Sequence, residues 1–442
     1  MEKALNPIQR FFKSESISGI LLIVATGAAL IIANSPLAHT YHEFWDETAL
    51  SFRFKNFELS KPMHYWVNDG LMAIFFFLIG LEIKREILTG HLSSFKSSLL
   101  PILAAVGGMV LPAAIYLAFN FSNEALVDGW AIPMATDIAF SLGILALLGK
   151  RVPLALKVFL AALAIVDDIG AVLAIAIFYT AEINFTALLV AVGGLVLLMI
   201  LNAINTRNIW FYIPVAVFLL WLPMLLSGVH ATLAGVLAAF TIPIKRKTDL
   251  KGFMQIIQTN LQALKSNGDK ESKYTLTHGQ FDAIENINEA CELANSPLQK
   301  LEHSLQYFSI FIIMPVFAFA NTGVELTGGS FFSGETTPLS LGIILGLFVG
   351  KPVGILLLSY IAIKSKLAVI PAGVRMIHIL GVGIIAGIGF TMSIFITDLA
   401  FDSEEYVNTA KLSILLASLL AGVFGFFLLK SKLKPSDGKI DQ

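Results

Sequence analysis

Twelve apolar runs, each about 20 residues long, follow one another along this chain. They fall at about 17–34, 66–83, 98–120, 131–149, 153–179, 186–204, 208–226, 228–244, 304–321, 339–362, 376–400 and 407–430. A run of that length matches the hydrocarbon thickness of a bilayer when helical. In lipid a backbone must satisfy its own hydrogen bonds, so such runs become helices. The division between the seventh and eighth runs rests only on Gly228 and His230. Charged residues are 14% of the chain and apolar ones 56%, against about 25% and 45–50% in soluble domains. A soluble enzyme, a disordered chain and a disulfide scaffold are excluded, the last because Cys291 is the single cysteine. A net charge of −1 with no basic block excludes a nucleic-acid partner. The expected class is a single all-α polytopic membrane domain over 1–442, with the lipid bilayer as its surroundings.

The first run has a basic flank, with Lys3, Arg10 and Lys13, as a signal peptide would. Its apolar core is long and no small-residue cleavage site follows, so a retained span is expected. Positive charge sets orientation. With the N-terminus inside, the inner segments carry Lys84, Arg85 and Lys96; Lys150 and Arg151; Arg207; Lys245, Arg246 and Lys247; Lys364, Lys366 and Arg375; and Lys430, Lys432 and Lys434. The outer loops at about 121–130, 180–185, 321–338 and 401–406 carry no Lys or Arg, and only 35–65 does. Both termini are therefore expected in the cytoplasm. Two loops are long. In the outer loop 35–65, Leu50, Phe52, Phe54, Phe57 and Leu59 alternate with polar residues, which predicts a β-hairpin turning near Lys55 and Asn56. The inner loop 245–303 is polar, with helical patterning around 253–264 and 281–293.

Ionisable groups inside spans cost at least about 2.5–3.5 kcal/mol each at a helix centre and are usually functional. Four stand out: Asp137 in the fourth span, Asp167 and Asp168 in the fifth, and Lys351 in the tenth. At about 1.5 Å rise per residue, all four fall near one level in mid-membrane. Adjacent helical residues point about 100° apart, so one of Asp167 and Asp168 is free to line a cavity while the other pairs with Lys351. A salt-bridged plug is the plainer alternative. Three acids against one base leave surplus negative charge, which a plug does not need and a cation site does.

The same region interrupts its helices. Pro133 precedes Asp137 by four residues, and the eleventh span contains Gly381, Gly383, Gly387 and Gly389. Proline removes a helical hydrogen bond and glycine weakens a helix. Broken backbone at membrane depth is tolerated where it lines a cavity or is covered by protein. Spans three to five and ten to twelve have opposite topology, with the middle member broken in each. Inverted repeats with paired broken helices point to a transporter binding site. Broken ends leave partial charges, which Asp137 and Lys351 are placed to offset. Close packing by small residues is the plainer alternative.

At this point seven stretches, in order, make the chain resemble the NhaA-type sodium/proton antiporters from about residue 8 to 430. They are Gly80-Leu-Glu-Ile-Lys-Arg-Glu86, Ala135-Thr-Asp-Ile-Ala-Phe140, Ala164-Ile-Val-Asp-Asp-Ile-Gly170, Gly228-Val-His-Ala-Thr-Leu-Ala-Gly235, Phe317-Ala-Phe-Ala-Asn321, Gly350-Lys-Pro352 and Gly387-Ile-Gly-Phe-Thr-Met-Ser393. The resemblance implies Asp168 as main Na⁺ or Li⁺ ligand with Asp167 beside it, Lys351 as partner of Asp167, and Asp137 and Thr136 at the crossing of the broken helices. It implies Glu82 as a funnel acid in a pH response, with Arg85, Glu86, Glu302 and His303 near it. It also implies a homodimer held partly by the outer hairpin, in a bacterial inner membrane. The inner loop is longer than in compact members, which bears on the regulatory residues and not on the core acids. His230, despite its motif, reads first as a capping or packing residue and second as a pH-linked group, and His303 alone would be a surface histidine. Asp69 and Asp398 read as interfacial, and Cys291 has no special role.

The expected activity is exchange of Na⁺ or Li⁺ for H⁺. A protonated carboxylate binds a cation poorly, and coupled carboxylates titrate as a unit, so protons and Na⁺ compete for one site. Activity should rise toward alkaline pH, with more than one proton per Na⁺. No phosphate-binding loop for ATP is visible, so no enzyme activity or cofactor is expected. A cation-coupled symporter of an organic solute is the chief alternative. A passive channel and an intramembrane aspartyl protease rank lower, because the Gly-x-Gly-Asp setting of the latter is absent.

Overall fold

The computed structural model describes residues 15–55, 57–180, 183–266, 275–326, 334–371 and 373–433. Lys3, Arg10, Lys13, Asn56 and Lys434 lie outside the described residues. The architecture is an all-α polytopic bundle. Each apolar run coincides with helix. The chain forms α1 (Glu15–Ala33), α2 (Met72–Thr89), α3 (Phe95–Asn120), α4 (Glu124–Met134), α5 (Ile138–Leu147), α6 (Leu154–Phe178), α7 (Phe185–Ala203), α8 (Ile209–Leu226) and α9 (Thr232–Thr241). Then follow α10 (Leu250–Ser266), α11 (His278–Ala294), α12 (Pro297–Asn321), α13 (Thr337–Lys364), α14 (Met376–Ala386), α15 (Phe390–Ala400) and α16 (Glu404–Lys432).

Among the described residues, seven helices are long and apolar enough to cross a membrane unaided, and the bent pairs α4/α5 and α14/α15 raise this to nine. The other apolar runs form the shorter helices within α1 and α9, and α2, whose second half carries Glu82, Lys84, Arg85 and Glu86. The seventh and eighth runs part at Gly228, whose φ of +83° only glycine adopts without strain. Large apolar side chains such as Leu189, Met199, Phe218 and Phe427 stand exposed on the bundle's outer surface, as helices facing hydrocarbon require.

One end of the bundle carries strands β1 (Ala49–Phe54) and β2 (Phe57–Pro62), paired antiparallel with Phe54 opposite Phe57. Lys55 at the turn has a φ of +52°. The opposite end carries α10 and α11, packed on each other and tied to the bundle where Arg207 donates to the Glu292 and Asn295 carbonyls. The first is the hairpin end of the bundle and the second its basic end.

The breaks fall where the sequence places them. The first bend is 42° and the second 48°. α4 tightens into a 3₁₀ turn over Asp128–Met134 that contains Pro133, then 135–137 runs without helix before α5. At the second break, a side chain on Gly387 would run into the Leu347 carbonyl of α13. The same logic brings α3 and α13 together. A Cβ on Gly107 would strike the Gly354 carbonyl, and one on Gly354 the Gly107 carbonyl. Without side chains there, the two backbones touch and gain dispersion contacts, the main packing term between helices in lipid.

Candidate functional site

The two broken helices hold each other. The Asp137 N–H donates to the Ile388 carbonyl at 2.7 Å. The Ser141 hydroxyl donates to the Ile385 carbonyl at 3.2 Å, and the Ser393 hydroxyl to the Ile132 carbonyl at 2.7 Å. Each break thus supplies a hydroxyl one turn into its second half and receives one on the last turn of its first half. This reciprocal pairing is what an inverted repeat produces.

Helix ends expose unpaired N–H and C=O groups, and charged side chains meet them here. Asp137 is the N-cap of α5, its Oδ1 accepting from the Phe140 N–H at 2.9 Å. Its Oδ2 accepts from the Thr391 hydroxyl at 2.6 Å and the Thr391 N–H at 3.3 Å, at the start of α15. One carboxylate therefore serves two helix N-termini, where partial positive charge favours it. Lys351 donates to the Met134 carbonyl at the C-terminus of α4, where a cation is favoured.

The adjacent acids of α6 divide. Asp167 Oδ2 sits 3.0 Å from Lys351 Nζ, with both side chains fully buried, and accepts from the Thr136 hydroxyl at 2.7 Å. Thr136 Oγ1 also lies 3.0 Å from the Ala386 carbonyl oxygen. Asp168 instead faces a cavity of about 140 Å³. Thr136, Asp137, Thr391 and Met392 close one end of that cavity, and Glu82 of α2 and Gln306 and Ser309 of α12 line its flank toward the basic end. Thr136, Asp137, Asp167, Asp168 and Lys351 are all no more than 3% exposed. Asp167 Oδ1 and Asp168 Oδ1 are buried without a hydrogen-bond partner. Three aspartates and Glu82 against Lys351 leave the centre with surplus negative charge.

The residues singled out for a pH response are only partly brought together. Arg85 joins Glu86 at 2.8 Å and Glu302 at 2.9 Å, at the basic end below Glu82. His303 follows Glu302 but is exposed, its ring meeting Tyr307 at 5.4 Å. His230 lies elsewhere, its ring nitrogen 2.5 Å from the Tyr179 carbonyl oxygen beyond the hairpin end of α6. Other contributors were not legible as site residues. Thr391 stands in the stretch Gly387–Ser393 shared with the family, but nothing local says its hydroxyl meets Asp137. Gln306, an amide in an apolar run that ends on a second amide, Asn321, was the available signal for the cavity's flank. Asp398, expected at the interface, is 11% exposed and paired with Lys411.

Discontinuous helices crossing at buried carboxylates beside a cavity define the class of helical membrane proteins built as inverted repeats around a mid-membrane site, the architecture of secondary transporters. A family profile described as "Na+/H+ antiporter 1" matches residues 9–429, and the chain belongs to that family. It is 47% identical over 440 residues to the Na(+)/H(+) antiporter NhaA of Shewanella pealeana, covering 99% of each chain. It is 46% identical over 430 residues to the protein of that name from Citrobacter koseri, covering 97% of this chain and 99% of the relative. With the Oleidesulfovibrio alaskensis protein of that name it shares 45% over 434 residues, or 98% and 96% of the two chains.

Proposed function

We propose that this protein is a secondary transporter exchanging Na⁺, or Li⁺, for H⁺ at Asp168, with Asp167, Thr136 and freed backbone carbonyls completing the ion's oxygen shell. The observation that carries this is Asp168 itself, buried at the cavity with Oδ1 unpartnered while its neighbour is tied to Lys351 and Thr136. A buried acceptor without a donor costs about 1–3 kcal/mol, a cost that a bound cation or a proton removes. Both relieve the same atom, so they compete. If the site is exposed to the two faces in turn, Na⁺ leaves on one passage and protons enter on the other, without ATP, cofactor or any chemical step of an enzyme. At low pH protons hold the site, so activity rises toward alkaline pH. Entry of Na⁺ beside Asp167 frees Lys351 to release a further proton, which makes the exchange electrogenic.

Cavity size favours exchange over symport of an organic solute. A water's share of liquid is about 30 Å³ and drug-sized pockets run to about 300–1,000 Å³. A space of about 140 Å³ suits a partly hydrated ion. In this proposal the basic end faces the cytoplasm of a bacterial cell, with both termini inside and the protein in the inner membrane. The hairpin of β1 and β2 is assigned to a homodimer contact. Glu82, Arg85, Glu86 and Glu302 are assigned to the pH response at the cavity mouth, with His303 and His230 as outlying members.

The test uses everted vesicles from a host lacking its own antiporters. Na⁺ should dissipate an imposed acid gradient with the wild type, more at alkaline pH, and Asp168→Asn should be silent at every pH. A wild type that inserts but stays silent overturns the proposal and leaves symport.

A further inference from the structure

The cavity does not continue to the hairpin end, and two layers stand between them. The inner layer is aromatic. Phe395 of α15 meets Phe76 of α2 at 5.4 Å between ring centroids and Phe317 of α12 at 6.4 Å. None of the three is more than 1% exposed. Phe75, Met314 and Met392, close neighbours in sequence, line the cavity, so the rings sit directly above it.

The outer layer is polar. Asp398, one turn beyond Phe395, pairs with Lys411 of α16 at 2.8 Å, the side chains being 11% and 8% exposed. The Asn68 amide, on the helical turn leading into α2, donates to Asp398 Oδ2 at 3.1 Å. The Asn321 amide, ending α12, donates to Asn68 Oδ1 at 2.9 Å, and the His64 ring meets Asn321 Oδ1 at 2.7 Å. The network therefore ties α2 and α12 to α15 and α16, and α2, α12 and α15 line the cavity together with α5 and α6.

We infer that Asp398, Lys411, Asn68 and Asn321 form a latch that keeps the hairpin end shut, and that the transport cycle opens this end by parting α2 and α12 from α15 and α16. This rests on the exchange proposal, since only alternating exposure requires that end to open. The chemistry suits a seam that is dry in one state and wet in the other. Asp398 bridges the Lys411 ammonium and the Asn68 amide, and hydrogen bonds to charged groups are stronger than neutral ones. When the seam parts, water replaces each lost partner, so the net cost of release is small. Apolar packing alone would oppose wetting, and a seam with no ties would leak.

The experiment reads water access to Met72, buried on α2 between Asn68 and Phe76. A Met72→Cys protein carrying Cys291→Ser is placed in right-side-out and everted vesicles and treated with a membrane-impermeant maleimide. Two latch variants are compared with it: Asn68→Ala, and the double variant Asp398→Asn/Lys411→Met, which leaves no charge stranded. Either should label from the hairpin face at least tenfold faster than the parent. Parental labelling rates in both variants overturn the latch. A variant that no longer inserts also counts against it, because a releasable tie is dispensable for folding. Na⁺/H⁺ exchange is measured in the same vesicles. Faster labelling without exchange by the parent sinks the exchange proposal alone, and exchange with unchanged labelling sinks the latch alone.

Discussion

Replacing Lys351 with alanine strands a carboxylate at the least solvated point of the molecule. The pair is 3.0 Å long with both side chains fully buried, so solvent screens nothing. Removing one member of a buried pair costs about 3–5 kcal/mol, whereas replacing both by neutral groups is often nearly neutral. The lost donor to the Met134 carbonyl places Lys351→Ala toward the upper end. Asp167→Asn keeps an acceptor for Thr136 and strands the lysine, so a similar loss is expected. The double variant Lys351→Met/Asp167→Asn should recover to within about 1–2 kcal/mol of wild type, a coupling of several kcal/mol between adjacent groups. Denaturant unfolding of the purified protein in detergent, run on wild type, Lys351→Met, Asp167→Asn and the double variant, gives the numbers, since Lys351→Met strands Asp167 as the alanine does. If the double variant loses the sum of the two single losses, the pair is not an interacting unit and the electrostatic account of this site is wrong. The same Lys351→Ala protein, reconstituted, should exchange without responding to membrane voltage. Voltage dependence that survives the change removes Lys351 from the proton path.

Two further outcomes follow from geometry. Gly354→Ala puts a methyl against the Gly107 carbonyl. Overpacking of this kind costs about 1–3 kcal/mol, so thermal unfolding should move to lower temperature, and Gly354→Ala without any shift would show that α3 and α13 are not in backbone contact. Asp137→Ala uncaps α5 and frees Thr391 at the start of α15. At about 0.5–2 kcal/mol per cap it should destabilise more than Thr391→Val, which removes the hydroxyl's bond and keeps the Thr391 N–H on Asp137, and equal losses measured by unfolding would contradict the shared cap.

Much of this layout is legible in the sequence because lipid leaves few options. Pro133 and the glycines of the eleventh run mark both breaks, since each weakens a helix where no water can repair it. The division of Asp167 and Asp168 follows from their 100° separation and from Lys351 being the one cation near that depth. What escaped is carried by contacts between segments far apart in sequence. Ser141 and Ser393 look like ordinary small residues in apolar runs until each finds a carbonyl of the other broken helix, Ile385 and Ile132 respectively. Lys411 lies near the start of a span and Asp398 near the end of another, so each alone reads as a surface charge, and only their packing makes them a buried pair. His230 shows the converse. Its motif is clear, but local sequence says nothing of the distance separating it from Arg85 and Glu302.

The mutual completion of the two broken helices sets terms for how the protein is made. Met134 and Lys351 are separated by 217 residues, and at about 5–20 residues per second of synthesis roughly 10–40 s pass between their appearances. During that interval the first repeat sits in the membrane with the carbonyls of Ile132 and Met134 unanswered and three aspartates without a counter-ion. The early half is therefore a nascent intermediate whose polar interior must be sheltered by the insertion machinery or by lipid headgroups, and a ribosome stalled before Lys351 leaves a fragment that membrane proteases can recognise as unfinished.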